Sequence, residues 1–353
     1  MPIALLGIPN CLAVFIVEST LEMRGGLMFN PATDISDLAG KIFFITGGTA
    51  DLGAETTLAL AKHNASNIYI SGRNAQAAQR IIAQVGALTP PSTTRVQFIE
   101  CDLSSLRAVK KAASQFLATE TRLDVLSCNA GIMASSPGLT EDGYEVQFGT
   151  NHLGHALLVR EFLPLLQETA SRNTSADADA GVGSTATPSA SGQGQEQGDA
   201  RIIILTSLGY KFAAMAGREI LFDELRTPLD KGFLWSWVRY GQSKLANLLY
   251  AMELARRYPS VTSVSVHPGV VSTNLIGGLT FGKRLFANVT SLGQRLTPEG
   301  SYNSLWAAST TKGKLVNGRY EPVGKLGSLD ARASNEGLAR ELWEWTQKVL
   351  DEF

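Results

Sequence analysis

The stretch "TGGTADLG", Thr46 to Gly53, decides how this chain is read. It follows an apolar, β-branched run, Ile42–Thr46, and opens an amphipathic stretch, Leu52–His63. A strand, a glycine-rich turn and a helix in that order leave backbone N–H groups and the positive end of a helix facing an anionic ligand. Thr46, Gly47, Asp51, Leu52 and Gly53 are therefore candidates to surround a dinucleotide pyrophosphate. Asp51 stands where the pattern wants a further glycine. Two unit charges about 4 Å apart in an effective dielectric of about 20 repel by about 4 kcal/mol, an upper figure if the carboxylate turns to solvent. A left-handed backbone there would add strain, which Asp tolerates better than most residues.

The same unit recurs along the chain. Strand patterns fall at Ile68–Ser71, Val96–Cys101, Leu123–Ser127, Ile202–Thr206 and Val261–Val266, with helix patterns at Ala75–Val85, Leu106–Leu117, Asn151–Gln167 and Tyr240–Arg257. Strands this apolar, without alternation, are expected to be covered on both faces. The fold class is α/β: a Rossmann-type, doubly wound parallel sheet with helices on both faces, in a single domain over 37–353. Ser171 to Ala200 is almost entirely Ser, Thr, Ala, Gly, Asp and Gln. Such a segment cannot bury enough apolar area to offset its ordering entropy, and it reads as a mobile surface insertion.

Composition excludes several functions. A chain of 353 residues, 44% hydrophobic and 18% charged, has ample material for a core, and a net charge of −1 lacks the basic excess of a nucleic-acid binder. A small-molecule partner is expected. Cys11, Cys101 and Cys128 are odd in number and have no metal-like spacing, which argues for a reducing, cytoplasmic setting without disulfides or zinc. The extension 1–36 leaves two readings open. Residues 3–17 are apolar apart from Gly7, Pro9 and Asn10, so they could anchor the chain to a membrane such as the endoplasmic reticulum. The run is shorter than the ~20 residues of a spanning helix and has no basic residue before Arg24, which favours a disordered or surface-packed extension.

The chemistry-bearing residues come after the strands. "YGQSK", Tyr240 to Lys244, sets a phenol and an ammonium four residues apart on one helical face, a spacing that also occurs in many surface helices. A neighbouring ammonium favours a phenolate and so lowers the ordinary pKa of about 10. Asp102 follows the third strand, "CNAG" with Asn129, Ala130 and Gly131 the fourth, Thr206 and Ser207 the fifth, and "HPG" the sixth.

In that order and spacing these motifs resemble the short-chain dehydrogenase/reductase superfamily. "TEDGYEVQFGTNHLGH" and "SKLANLLYAMELARR" resemble its retinol-dehydrogenase-like branch. The resemblance covers about Lys41 to the C-terminus apart from the insertion. It implies that Tyr240 is the general acid/base, and that Lys244 lowers its pKa and holds the nicotinamide ribose. Ser207 would hydrogen-bond the substrate oxygen, ahead of Thr206, and Asn151 would position Lys244 and a relay water. It further implies that Asp102 approaches the adenine, that Asn129, Ala130 and Gly131 line the cofactor cleft, and that Pro268, Gly269 and Thr273 contact the carboxamide. Cys128 replaces the asparagine that usually opens the NNAG motif. The family often pairs through helices, so a homodimer is one expectation and a monomeric, membrane-associated form another.

After the second strand, where an Asp or Glu would bind a ribose 2′-hydroxyl, the chain reads "YISGRN". Arg73 offers a fork of donors to a 2′-phosphate, which favours NADP(H) over NAD(H). Two aromatic stretches, 208–238 and 274–296, are the candidate substrate loops. They suggest a bulky apolar carbonyl or alcohol, or else pack a lid or a subunit interface. The expected activity is reversible hydride transfer between nicotinamide and that substrate. The alternative is a catalytically impaired family member, disabled by Asp51, with a binding or regulatory role.

Overall fold

The computed structural model describes residues 29–179, 199–269, 297–319 and 329–353, with the backbone alone at 173–179 and 297–298. Six strands build the sheet: β1 (Ile42–Thr46), β2 (Asn67–Gly72), β3 (Arg95–Glu100), β4 (Val125–Cys128), β5 (Arg201–Leu205) and β6 (Thr262–Val266). All pair in parallel in the order β3-β2-β1-β4-β5-β6. Chain order reverses between β1 and β4, so a crevice opens above their carboxyl ends.

The helices divide between the two faces because side chains alternate along each strand. Phe44, Tyr69, Leu126, Ile202 and Ile204 face one core with α3 (Leu106–Leu117), α4 (Gly154–Asp179), α5 (Trp235–Arg257) and α7 (Glu336–Leu350). Phe43, Ile45, Ile68, Ile70, Ile203 and Val264 face the other, with α1 (Asp51–Lys62), α2 (Ala75–Gly86) and α6 (Tyr302–Ser309). β1, β2, β4 and β5 are thus apolar on both sides, as their unalternated sequences require, whereas β6 turns Val264 and Val266 to the second core and Ser263 and Ser265 to the other face. β3, at the sheet edge, is half-exposed.

Two boundaries differ from the sequence reading. α5 starts at Trp235, one turn before Tyr240, so the last four residues assigned to the first substrate loop are helical. Trp237 and Val238 are buried there, and burial extends the helix beyond what the Tyr–Lys spacing indicated. The compositional insertion is also narrower than 171–200. α4 continues to Asp179, and Asp199 and Ala200 are buried beside β5. Asp199 pairs there with the guanidinium of buried Arg201, which also donates to the carbonyls of Ala307 (2.7 Å) and Thr310 (2.6 Å). Composition could not show that this aspartate belongs to the sheet. The apolar run 3–17, residues 180–198, Thr273 and the stretch 274–296 lie outside the described residues. Among the described residues no helix is long and apolar enough to cross a membrane.

The base of the switch point is fastened by Asp124, which is fully buried. Its carboxylate accepts from the Ile42 N–H at 2.9 Å and from Arg122 at 2.7 and 2.9 Å, with Lys41 at 3.4 Å. Asp124→Ala leaves the Ile42 N–H without this acceptor and should lower unfolding stability by about 2 kcal/mol in urea titrations.

Candidate active site

The crevice holds a cavity of about 500 Å³. At one end lie Gly47 and Thr49–Leu52, flanked by Ser71–Asn74 and Cys101–Ser104; at the other lie Ser207, Tyr240 and Lys244, with Asn129–Met133 between them and His267–Gly269 alongside. Of the residues expected at the site, Gly47, Asp51, Leu52, Arg73, Asp102, Asn129, Ala130, Gly131, Ser207, Tyr240, Lys244, Pro268 and Gly269 line this one cavity. Thr46, Gly53 and Asn151 do not; they shape it from behind.

Gly53 is pinned by contact. A Cβ there would overlap the Gly47 carbonyl oxygen and lie 2.7 Å from the Asn129 amide nitrogen, so only glycine lets α1 come down onto the turn. Gly47 takes a left-handed φ of 66°. Asp51 does so too, at 46°, as the first residue of α1. Its carboxylate complements the helix dipole, which suits folding, and it occupies the positive end that an anionic ligand would use.

Thr46 ties the layers together through a hydroxyl with no capacity left over. It accepts from the backbone N–H groups of Asn129 (2.9 Å) and Ala130 (3.0 Å) and lies 2.8 Å from His155 Nε2. His155 Nδ1 is 2.9 Å from the Asn151 carbonyl, an acceptor only, so Nδ1 carries the proton. Burial pushes the His155 pKa down to about 4, so the ring is neutral at pH 7 and Nε2 accepts the Thr46 proton.

Asn151 sits in a π-helical turn, Gly149–Leu153, just before α4. Such turns recur at functional sites because they reorient one side chain. A Cβ on Gly149 would overlap Thr140, and one on Gly154 would overlap the Leu103 carbonyl, so these glycines admit the turn against the segments after β4 and β3. The Asn151 amide makes three bonds: Oδ1 accepts from Ile132 N (2.8 Å), and Nδ2 donates to Ile132 O and Ser243 Oγ (2.9 Å each). Ser243 passes this on, donating to the Tyr240 carbonyl at 2.8 Å.

Tyr240 stands against Gly209, where a Cβ would lie 2.8 Å from the ring. Gly241 serves α5 in the same way, because a Cβ there would lie 2.6 Å from Ala213 N. The 3-10 segment Leu208–Ala216 can therefore lie flat on the helix and bring Ser207 alongside the phenol, its Oγ accepting from Gly209 N at 3.1 Å. Thr206 spends its hydroxyl on the Lys244 carbonyl at 2.7 Å. The expected lowering of the Tyr240 pKa is not a property of the protein framework. Burial pushes it up to about 12, with only the Ser207 hydrogen bond pulling downward. Burial also takes Lys244 down to about 8, and its Nζ donates to the Leu205 carbonyl, 3.1 Å away, at 5.8 Å from the Tyr240 ring centre. Gly131 leaves the room for that ammonium, since a Cβ there would lie 3.3 Å from Nζ.

At the far end Arg73 is mostly exposed and 4.0 Å from the Asp102 carboxylate. Asp102 also accepts from Ser104 N (2.9 Å) and Oγ (2.7 Å). Asn74 caps α2 through Ala77 N, leaving that helix N-terminus beside Arg73.

Residues 41–175 match the family model of short chain dehydrogenases. An uncharacterized oxidoreductase of Schizosaccharomyces pombe is 32% identical over 98% of this chain and 96% of its own. The chain belongs to the short-chain dehydrogenase family. Retinol dehydrogenase 14 of Homo sapiens is 35% identical over 88% of this chain and 86% of its own, which places the chain near the retinol-dehydrogenase-like members. A solved structure of an uncharacterized protein from Mycobacterium Paratuberculosis superposes with a TM-score of 0.63 at 25% identity, covering 93% of this chain and 98% of that one. The family's members are oxidoreductases that work with a nicotinamide cofactor.

Sequence reasoning missed His155, Ser243 and the glycines 209 and 241. His155 carried a signal: it lies four residues after Asn151 within "TNHLGH", the spacing that lets a ring reach back to a helical carbonyl.

Two outcomes follow from this geometry. His155 and His152 are buried and stay neutral to about pH 4 and 3, whereas an unfolded histidine protonates near 6.5. The unfolded chain therefore binds more protons below pH 6.5, and stability should fall from there downward by up to about 1.4 kcal/mol per pH unit per histidine. Urea titrations at pH 7 and 5 should show the fall, and His155→Gln should reduce it. Gly209→Ala should displace the Tyr240 ring, abolishing turnover while cofactor affinity is kept.

Proposed function

We propose that the protein is an NADP(H)-dependent oxidoreductase that interconverts a carbonyl and an alcohol on a bulky apolar substrate. One observation carries this reading: Ser207, Tyr240 and Lys244 converge at one end of a cavity whose other end is a glycine-built turn followed by Arg73. The residues fit a dinucleotide. The turn is cleared by Gly47 and Gly53, α1 and α2 both point their N-termini at the cavity, and the buried hydroxyl of Thr150, on its wall, has no protein partner. Leu52, Gly47, Asn129 and Ala130 would hold the pyrophosphate and its neighbours, Asp102 the adenine side, Arg73 a 2′-phosphate, and Pro268 and Gly269 the carboxamide.

When bound, the nicotinamide supplies or accepts the hydride at the substrate carbon. The chain's own residues manage the oxygen. Tyr240 donates its phenolic proton to a carbonyl oxygen during reduction and withdraws it during oxidation. Ser207, within reach of the same phenol, hydrogen-bonds the oxygen as charge develops on it. Lys244, cationic at pH 7, lowers the cost of the phenolate once a ligand draws its ammonium toward the ribose and Tyr240. Asn151 keeps α5 in register through Ser243. Met133, Val146, Phe212 and Trp237 give the substrate end an apolar wall. An NADP preference leans toward reduction, because cells usually keep that pool reduced. Asp51 supports the second reading, an impaired member with a binding role, because it places a carboxylate at the phosphate turn.

Turnover on a panel of apolar ketones and alcohols is the test. Tyr240→Phe should lower kcat by about 10²-fold or more with cofactor affinity unchanged; turnover indifferent to that change contradicts the mechanism. Arg73→Ala should weaken NADPH by about tenfold or more and leave NADH nearly unaffected, and equal weakening contradicts the cofactor assignment.

A further inference from the structure

Directly before Tyr240 stands Arg239, 1% exposed and the largest fully buried side chain among the described residues. Its Nη1 donates to the Pro228 carbonyl and its Nη2 to the Ser135 carbonyl, both at 2.8 Å. Its Nε lies 3.4 Å from Oε1 of Glu145, which is equally buried. Glu145 reaches further. Its Oε2 accepts from Phe148 N at 2.8 Å, capping the turn that leads to Asn151, and its own N–H donates to the Leu225 carbonyl at 2.7 Å. Four pieces of chain meet at this pair: the start of α5, the segment after β4, the loop 225–229, and the approach to Asn151.

Backbone conformation marks the same two segments independently. Among the described residues four non-glycine positions have left-handed φ, and two of them flank the carbonyls that Arg239 binds. Ala134 (48°) precedes Ser135, and Leu229 (49°) follows Pro228. Both are buried, and such conformations persist only where surrounding contacts over-determine them. A guanidinium, planar and offering several donors in fixed directions, can hold two carbonyls and a carboxylate at once; an ammonium cannot span them.

We propose that Arg239 and Glu145 are the positioning pair of the substrate end, clamping segments 132–135 and 225–229 to the helix that carries Tyr240. This deepens the oxidoreductase reading and rests on it for the word substrate. Met133, Val146 and Trp237, which line the cavity, are each within two residues of a clamped group, so the apolar wall is held in register with the phenol. The cofactor turn, at the opposite end, is not touched by the pair. The clamp therefore acts on substrate fit and not on dinucleotide binding. Burial pushes the Glu145 carboxyl up to about 7, so its charged form leans on Arg239.

The test is the paired variant Arg239→Met/Glu145→Gln, which removes both buried charges together and leaves neither unpaired. Melting temperature, NADPH affinity, steady-state kinetics on an apolar ketone and hydrogen–deuterium exchange are measured beside the unmodified protein. The paired variant should bind NADPH within about twofold of the unmodified protein, while KM rises about tenfold and kcat changes little, the scale expected of a misplaced wall. Exchange should quicken about tenfold in 132–138 and 225–231 and not in the turn 47–53. Unchanged KM and exchange overturn the proposal. So does a uniform quickening with weakened NADPH, which marks general loosening. Arg239→Lys, which keeps the charge, carries the same test should the paired variant not fold: exchange must quicken in at least one of the two segments. If the unmodified protein reduces no carbonyl, the functional reading fails, and the exchange pattern still decides the clamp.

Discussion

Everything at the top of the sheet hangs from the hydroxyl of Thr46. It gives its one proton to His155 and accepts from two backbone N–H groups of the segment after β4, while His155 donates from Nδ1 to the Asn151 carbonyl. The end of β1, the end of β4 and the turn that carries Asn151 are thereby fixed to a single oxygen in a buried, low-dielectric setting, where each such bond is strong and each loss expensive. From Asn151 the chain of bonds runs through Ser243 to the Tyr240 carbonyl, so the glycine-rich turn and the helix that carries the phenol belong to one bonded frame.

Glycines provide the second condition. Gly53, Gly154, Gly209 and Gly241 stand where any side chain would meet backbone or the Tyr240 ring. They bring helices onto loops at distances that leave one crevice open, at the switch point between β1 and β4. Burial then sets the chemistry of that crevice: it raises the phenol, lowers the lysine, and keeps both neutral histidines from charging. In the proposed mechanism, a bound ligand that redirects the Lys244 ammonium from the Leu205 carbonyl would reverse the first of these.

The sheet was legible because parallel strands buried on both faces need unalternated apolar runs, and β1, β2, β4 and β5 have them. That Gly47, Arg73, Asp102, Asn129, Ser207 and Pro268 gather in one crevice was legible because each follows a strand end, whereas Tyr240 and Lys244 were read from their spacing on a helix. Other features were not, and for physical reasons. Trp235 and Trp237 read as loop aromatics because nothing local distinguishes a helix turn held by burial from a lid. Asp199 read as part of a polar insertion because its partner, Arg201, reveals itself only once β5 is covered by α6. Arg239 carried no signal in the sequence, since its pairing with Glu145 joins segments far apart along the chain. The role of Lys244 was read from spacing, which shows proximity to the phenol but not the carbonyl that competes for the ammonium.

Asp51 bears most directly on whether this frame serves a working oxidoreductase. Its backbone already has the left-handed form the turn requires, so what distinguishes it from glycine there is mainly its charge. The decisive measurement is a fluorescence titration of the purified protein with NADPH, with NADH as control, repeated on Asp51→Gly. The account predicts saturable NADPH binding by the unmodified protein, tighter than NADH, and a further gain of about tenfold when the carboxylate is removed. Binding that appears only in Asp51→Gly would contradict it and leave a fold with an intact catalytic set behind a disabled phosphate turn.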